Sequence, residues 1–562
     1  MNAQQIPVNG QTRVRFIRVV KAFSASEVGG KAIRLFALLI ALLLGVSGLN
    51  VVNSYVGRDF MTAIENRNSA EFIWQAILYF GVFAACTGVA VVFRFTEERL
   101  GLIWREWLTR RLVTLYLGDR TYYRLKATGE MDNPDERIAD DVRAFTVTTL
   151  SFILMILNGT ITVVAFSGVM WSISPMLFAV TVVYAVSGSF IAVGLGRPLV
   201  GLNYSQLEKE ANFRSDLIHV RENAESVALA RREGRVRARL LHRLGELAAN
   251  FEKIIAVNRN LGFFTTGYNY LIQIIPALVV APLFMRGEVQ FGVITQSAMA
   301  FAQLVGAFSL IVTQFQSISS FAAVVSRLGS LGEAIEQAKS SEVSGIEVVR
   351  EQGRIAYESL TLWSPKDGRP LVKELSASVP CGTRLLVLGS DETAKLALLR
   401  ATAGLWNNGE GRIIRPGLDH ILFLPERPYL PPGTLREVLV RTGQEHAISD
   451  VRILDTLRAL NLEPVLMRSG GLYAEQDWDD ILSLGEQQLL AFTHMLLAAP
   501  RFAFLDRAST ALSPEQVEHI LTMLCEHAIT YINIGEVDDR LDYYDAVLEL
   551  TGDGGWKWTS IP

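Results

Sequence analysis

The first 330 residues hold six apolar runs, and each is long enough to cross a bilayer, which takes about 20 residues. They lie at 35–56, 72–93, 149–171, 175–195, 261–285 and 293–324. The last exceeds what a bilayer requires and is expected to continue past it. The connections are unequal. Little but Ser172–Ser174 separates the third run from the fourth, and a short turn separates the fifth from the sixth. Long arginine-rich segments join the second run to the third (Arg99, Arg105, Arg110, Arg111, Arg120, Arg124) and the fourth to the fifth (Arg221, Arg231, Arg232, Arg235, Arg237, Arg239). Cationic loops stay on the cytoplasmic side, so both long connections and both termini are expected there. The stretch TEERLGLIWREWLTRRLVTLYL keeps helical periodicity, so the membrane helices should extend beyond the lipid.

Composition agrees with a divided chain. Half of the 562 residues are hydrophobic, the excess lies in the first 330, and two or three domains are expected. The net charge of −4 offers no polybasic surface for nucleic acid. Cys86, Cys381 and Cys525 are isolated and fit neither a disulfide framework nor a metal site. The polar, basic segment 1–34 has no short apolar core, so no cleavable signal peptide is expected.

Polar residues inside the apolar runs mark a candidate transport pathway. Gln296, Gln303 and Gln314 are spaced to share one helix face. Asn269 and Gln273 lie one turn apart before Pro276, an expected kink, and Asn50 and Ser54 repeat the spacing in the first run. Such groups face a bundle interior or a water-filled path, or they bond between helices. Amides without acids suggest a hydrophilic, adaptable cavity. Glu97 and Glu98, near the inner end of the second run, read as solvated groups rather than proton carriers.

The charged, serine-rich stretch 326–352 reads as a linker. From Arg354 onward strand-like and helical runs alternate, which favours an α/β sheet. The segment 482–513, LSLGEQQLLAFTHMLLAAPRFAFLDRASTALS, ends a short apolar strand at Asp506, where a phosphate-loop ATPase holds magnesium. Its LSLGEQQ closely resembles the signature motif of ABC transporters, in which Ser483 and Gly485 would contact the nucleotide of the partner subunit. Upstream, GSDETAKL stands where a G-x-x-x-x-G-K-[ST] loop belongs. Gly389 and Lys395 are present there. Ala394 replaces the second glycine, Leu396 replaces the magnesium-binding hydroxyl, and Asp391 and Glu392 place carboxylates where polyphosphate would sit.

Further departures follow along the same half. PERPYLPPGTLREVL resembles the Q-loop segment of that family, with Glu426 in place of glutamine. Arg507 occupies the position of the catalytic glutamate, Ser513 that of the D-loop aspartate, and Glu536 that of the switch histidine. Arginine cannot accept a proton from water, so no residue is assigned as catalytic and none as a metal ligand. Trp363 reads either as an adenine-stacking platform or as a core aromatic. ATP with magnesium is implied by the resemblance alone, and its binding is expected to be weak or absent.

The membrane half carries a narrower resemblance. Asn50-Val-Val-Asn53, Arg58-Asp59-Phe60, Met131-Asp-Asn-Pro-Asp-Glu-Arg137-Ile, Glu210-Ala-Asn-Phe-Arg214 and Val220-Arg-Glu-Asn-Ala-Glu225-Ser resemble the SbmA/BacA-like branch of the ABC superfamily. Its members include bacterial peptide and cobalamin uptake proteins and the peroxisomal fatty-acyl transporters. The resemblance implies an all-α polytopic membrane domain of exporter type with six helices (1–330), a linker (331–353) and a C-terminal α/β ABC nucleotide-binding domain (354–562). It also implies a homodimer in a bacterial inner membrane that takes up peptides or other bulky hydrophilic solutes. Relatives without an ATPase domain are proton-driven, which makes a proton gradient the expected energy source. An ATP-hydrolysing transporter and a non-transporting sensor or scaffold are the alternatives.

Overall fold

The computed structural model describes residues 10–128, 134–310, 314–340, 345–443, 446–507, 509–536 and 539–561. The chain divides into two compact units, Met1–Lys339 and Ser340–Pro562.

The longer helices of the first unit are α1 (Gly29–Glu65), α2 (Ser69–Leu117), α3 (Val142–Ile173), α4 (Pro175–Glu222), α5 (Glu233–Met285), α6 (Gly292–Phe308) and α7 (Phe315–Ser340). A backbone in hydrocarbon must satisfy its own hydrogen bonds, and a helix does so within one segment. The first five are long and apolar enough to cross a membrane. At 49, 48 and 53 residues, α2, α4 and α5 run to about 72–80 Å at 1.5 Å per residue, well beyond a hydrocarbon layer of about 30 Å. Phe80, Val164, Phe190 and Leu278 are each at least 69% exposed, as befits side chains that meet lipid.

Local chemistry sets the helix ends. Asn68 caps α2 by accepting the amide N–H of Glu71 at 3.3 Å. Ser174 caps α4 through the N–H of Leu177, and Pro175 follows at the first helical position, so α3 turns into α4 over one residue. The apolar run 293–324 departs from expectation. Among the described residues it is not one continuous helix: α6 has 17 residues and ends at Phe308, near the weak helix formers Gly306 and Ser309, and α7 begins at Phe315. Gln314 lies in a turn between them, so it shares no helix with Gln296 and Gln303. Pro276 lies within α5, which continues to Met285 as one helix.

The helices are joined at close approaches. Thr62 Oγ1 of α1 accepts the N–H of Gly292 at 3.1 Å, and a Cβ on Gly292 would collide with the carbonyl of Arg58. Tyr184 of α4 and Tyr268 of α5 stack with ring centroids 4.3 Å apart, and each hydroxyl donates to the other's backbone carbonyl, at 2.6 and 3.2 Å. The Met131–Ile138 motif begins outside the described residues. Its Arg137 donates to Ser330 Oγ at 2.8 Å and to the carbonyl of Arg327, and Arg327 pairs with Asp141, so this turn is fastened to α7.

The second unit begins within the stretch expected as a linker. There α7 runs on to Ser340, and strand β1 (Gly345–Arg350) pairs in parallel with β5 (Gly409–Arg415). With β2 (Arg354–Trp363) and β3 (Pro370–Pro380) they form a four-stranded sheet in the order β1-β5-β2-β3. A six-stranded sheet is built from β4 (Leu385–Gly389), β6 (Ile421–Leu424), β9 (Phe502–Asp506), β10 (Thr530–Ile534), β11 (Ala546–Leu550) and β12 (Trp556–Ser560). Its order is β12-β11-β4-β10-β9-β6, with β7 (Gly433–Thr434) and β8 (Glu475–Gln476) as a small separate pair. All the pairings in the larger sheet except β11–β12 are parallel, and β9 is buried along Phe502–Leu505, as parallel strands covered on both faces must be. Helices α8 (Glu392–Thr402), α9 (Leu484–Ala498) and α10 (Pro514–Glu526) complete the α/β layers. The carboxyl ends of β4, β9 and β10 share one edge, the edge where open α/β sheets receive ligands.

Gly292 offers a test of the α1–α6 contact. Gly292→Val must push backbone away from backbone and should destabilise the membrane half by about 1–3 kcal/mol. Thermal melting in detergent micelles reads this directly, and melting at the wild-type temperature would refute the contact.

Candidate functional site

Gly389 ends β4, where a Cβ would lie 2.6 Å from the carbonyl oxygen of Leu550, so only glycine fits this turn. Helix α8 follows at once. Asp391 caps it by accepting the N–H of Thr393 at 2.9 Å, and its second oxygen meets Arg369 at 3.0 Å. Lys395, one turn into α8, is 2% exposed. Its ammonium lies 2.6 Å from Glu392 and donates to the carbonyl of Gly535, beyond the end of β10, at 3.2 Å. Helix-start N–H groups and a lysine are what would receive polyphosphate, and here the chain's own carboxylates engage both. Ala394 is buried and Leu396 half-buried, and neither brings an oxygen.

Asp506 ends β9 across the same edge. One carboxylate oxygen is buried with no hydrogen-bond partner among the described residues. Burial pushes its carboxyl above the usual carboxylate range. The Arg507 charge opposes that, Glu426 and Glu392 reinforce it, and Arg400 opposes it weakly. Arg507 adopts φ 47°, a left-handed conformation that is strained for a long side chain. Its guanidinium reaches Glu426 at 3.6 Å. Lys395–Glu392 and Asp506–Arg507–Glu426 thus form one cluster of alternating charge, in which one oxygen of Asp506 lacks a hydrogen-bond partner among the described residues.

Ser483 is exposed and caps α9 in a reciprocal box with Glu486, whose carboxyl is held below its ordinary range chiefly by Arg468 at 2.6 Å. A Cβ on Gly485 would lie 2.9 Å from the carbonyl of Ala511, which explains the glycine without any ligand. Gln488 was not singled out from the sequence. Fully buried, it donates to the carbonyl of Glu426 at 2.9 Å and to Thr510 Oγ1 at 3.1 Å, and accepts the N–H of Ala511 at 3.1 Å. Its sequence signal was an amide on an otherwise apolar helix face. Arg369 and Gly535 were also missed, because their roles depend on contacts distant in the chain. Trp363 ends β2 half-buried, bonded through its backbone to Asn408 and outside this cluster. Glu536 is exposed, and its N–H donates to Asp539. Ser513 caps α10 with Gln516.

In the membrane half, Ser54 and Gln296 are buried, each with a polar atom lacking a partner among the described residues. The register set by Thr62 and Gly292 brings these two helices face to face. Asn50 and Gln314 are half-buried, whereas Asn269, Gln273 and Gln303 are exposed in the single chain.

The raised Asp506 carboxyl has a pH consequence. Its folded form favours the proton, so stability present in acid is lost as pH rises from the ordinary carboxylate range through the raised value. Asp506→Asn should melt about 2 °C or more above wild type at pH 7.5, and the two should converge near pH 4. A variant that melts below wild type at pH 7.5 would contradict this environment.

Residues 21–285 match the family of ABC transporter transmembrane region 2. The chain is 37% identical over 539 residues to an uncharacterized ABC transporter ATP-binding protein of Synechocystis, covering 94% of this chain and 81% of that one. It is 36% identical over 606 residues to the chloroplastic ABC transporter D family member 2 of Arabidopsis thaliana, covering 96% and 86%. A lysosomal cobalamin transporter of mouse is 26% identical over 582 residues, covering 97% and 96%. The alignments take in both the helical half and the α/β half, and the chain belongs to the ABC transporters, within their D subfamily.

Proposed function

We propose that two copies of this chain form an inner-membrane transporter that imports peptides or other bulky hydrophilic solutes, with an ABC half that supports the dimer instead of hydrolysing ATP. The observation that carries the reading is Arg507. It follows Asp506 at the tip of β9, leans on Glu426, and fills the place of the acid that would orient an attacking water. Leu396, Glu426 and Glu536 lack the other groups that ATP chemistry requires, so magnesium–ATP is bound weakly or not at all. The membrane half supplies the pathway, with Ser54 and Gln296 as its buried polar groups. The arginine-rich connections favour a cytoplasmic position for both termini, and in this reading a proton gradient drives uptake, in the manner of the SbmA/BacA-like branch. The mouse relative's name, a cobalamin transporter, agrees with a bulky polar cargo.

Retention of Lys395, Asp506 and the Ser483 turn favours a second reading, an ATP-driven transporter. Two measurements separate them. The purified dimer should release no phosphate above the background of Lys395→Ala, and labelled peptide or cobalamin should enter energised vesicles depleted of nucleotide. An uncoupler should abolish that entry. Uptake that needs ATP and ignores the uncoupler would establish the second reading.

A further inference from the structure

We infer that Glu392 is a built-in anion that holds Lys395 in the place of a phosphate, so that the chain shuts its own nucleotide pocket. This rests on the reading of an ABC half that does not hydrolyse ATP, and adds how the pocket is kept closed. A buried ammonium is costly unless an anion accompanies it. In a phosphate-binding loop that anion arrives with the ligand. Here it comes from the same helix turn, three residues earlier, with Glu392 Oε1 at 2.6 Å from Lys395 Nζ. Glutamate N-terminal to lysine on one helix face is the favourable order, and a carboxylate in the first turn also suits the helix dipole.

Two further contacts complete the closure. The carbonyl of Gly535 accepts from Lys395, and a Cβ on Gly535 would collide with Asp539 Oδ2 and lie 2.7 Å from Leu386 Cδ1, so a side chain there would disturb this strand end. Asp391 takes the N–H of Thr393 and pairs with Arg369. Polyphosphate can therefore enter only by breaking the Glu392–Lys395 and Asp391–Arg369 pairs. The Glu392 side chain is 49% exposed while that of Lys395 is 2% exposed, so the latch faces solvent on its anionic side and opens from there.

The test uses the full-length protein in detergent micelles, with millimolar pyrophosphate as the probe. Glu392→Gln leaves a buried lysine without its carboxylate, and the ABC-half melting transition should fall by about 5 °C. Pyrophosphate should restore much of that loss while leaving wild type unmoved, and adding Lys395→Met to the variant should remove the rescue. Should Glu392→Gln not accumulate, Lys395→Met alone serves: it removes the buried charge and should melt at or above wild type. The inference is overturned if wild type responds to pyrophosphate as strongly as Glu392→Gln. It is overturned equally if Glu392→Gln melts with wild type and ignores the probe, or if Lys395→Met melts well below wild type. Phosphate release by wild type would instead overturn the proposed function, so the two failures are distinguishable.

Discussion

An ammonium group with almost no access to water must have an anion at hand, and the α/β half is arranged around that requirement at Lys395. The parallel sheet ends β4, β9 and β10 along one edge and so delivers Gly389, Asp506 and Gly535 to the head of α8. In a nucleotide-binding protein the convergence of glycine, lysine and aspartate there concentrates positive potential for phosphates. Here Asp391, Glu392 and Glu426 answer it from within the chain, and Arg507 answers Glu426 in turn. Acidic and basic side chains thus alternate along this edge on an intact sheet.

The membrane half obeys a different constraint. Lipid offers no hydrogen bonds, so its backbone closes into helices and its specificity must come from side chains. Small residues and hydroxyls make the junctions: Gly292 beneath the Arg58 carbonyl, Thr62 on the Gly292 N–H, Gly188 beneath the Tyr268 ring. Ser54 of α1 and Gln296 of α6 are buried, and each has a polar atom without a hydrogen-bond partner among the described residues, in a setting where that is costly.

Much of this was legible in the residues. Apolar length announces spans because the bilayer has a fixed thickness, and the alternation after Arg354 announces a layered sheet. The substitutions at Ala394 and Leu396 stand out because a phosphate loop is a local motif with fixed spacing, and those at Glu426, Arg507 and Glu536 because the segments around them resemble further motifs of the family. Three things escaped. The break after Phe308 was hidden because Gly306 and Ser309 sit in an otherwise unbroken apolar run. Strand β1 looked like linker because its pairing partner, β5, lies far along the chain. Gln488 and Arg369 gain their meaning only from contacts across loops, which no spacing rule encodes. The sequence showed that Asp391 and Glu392 would repel a phosphate. It did not show that they take over its contacts.

The reciprocal tyrosine clasp between α4 and α5 has a mechanical consequence. Two helices of 48 and 53 residues, pinned by stacked rings and two crossed hydrogen bonds, cannot slide past one another without losing all of these contacts at once. An ion pair between Asp216 and Arg239 ties them again near their far ends, so sliding is opposed at two places, while Pro198 inside α4 lies between the two ties and leaves that stretch short of a backbone hydrogen bond, a place where the pair can flex.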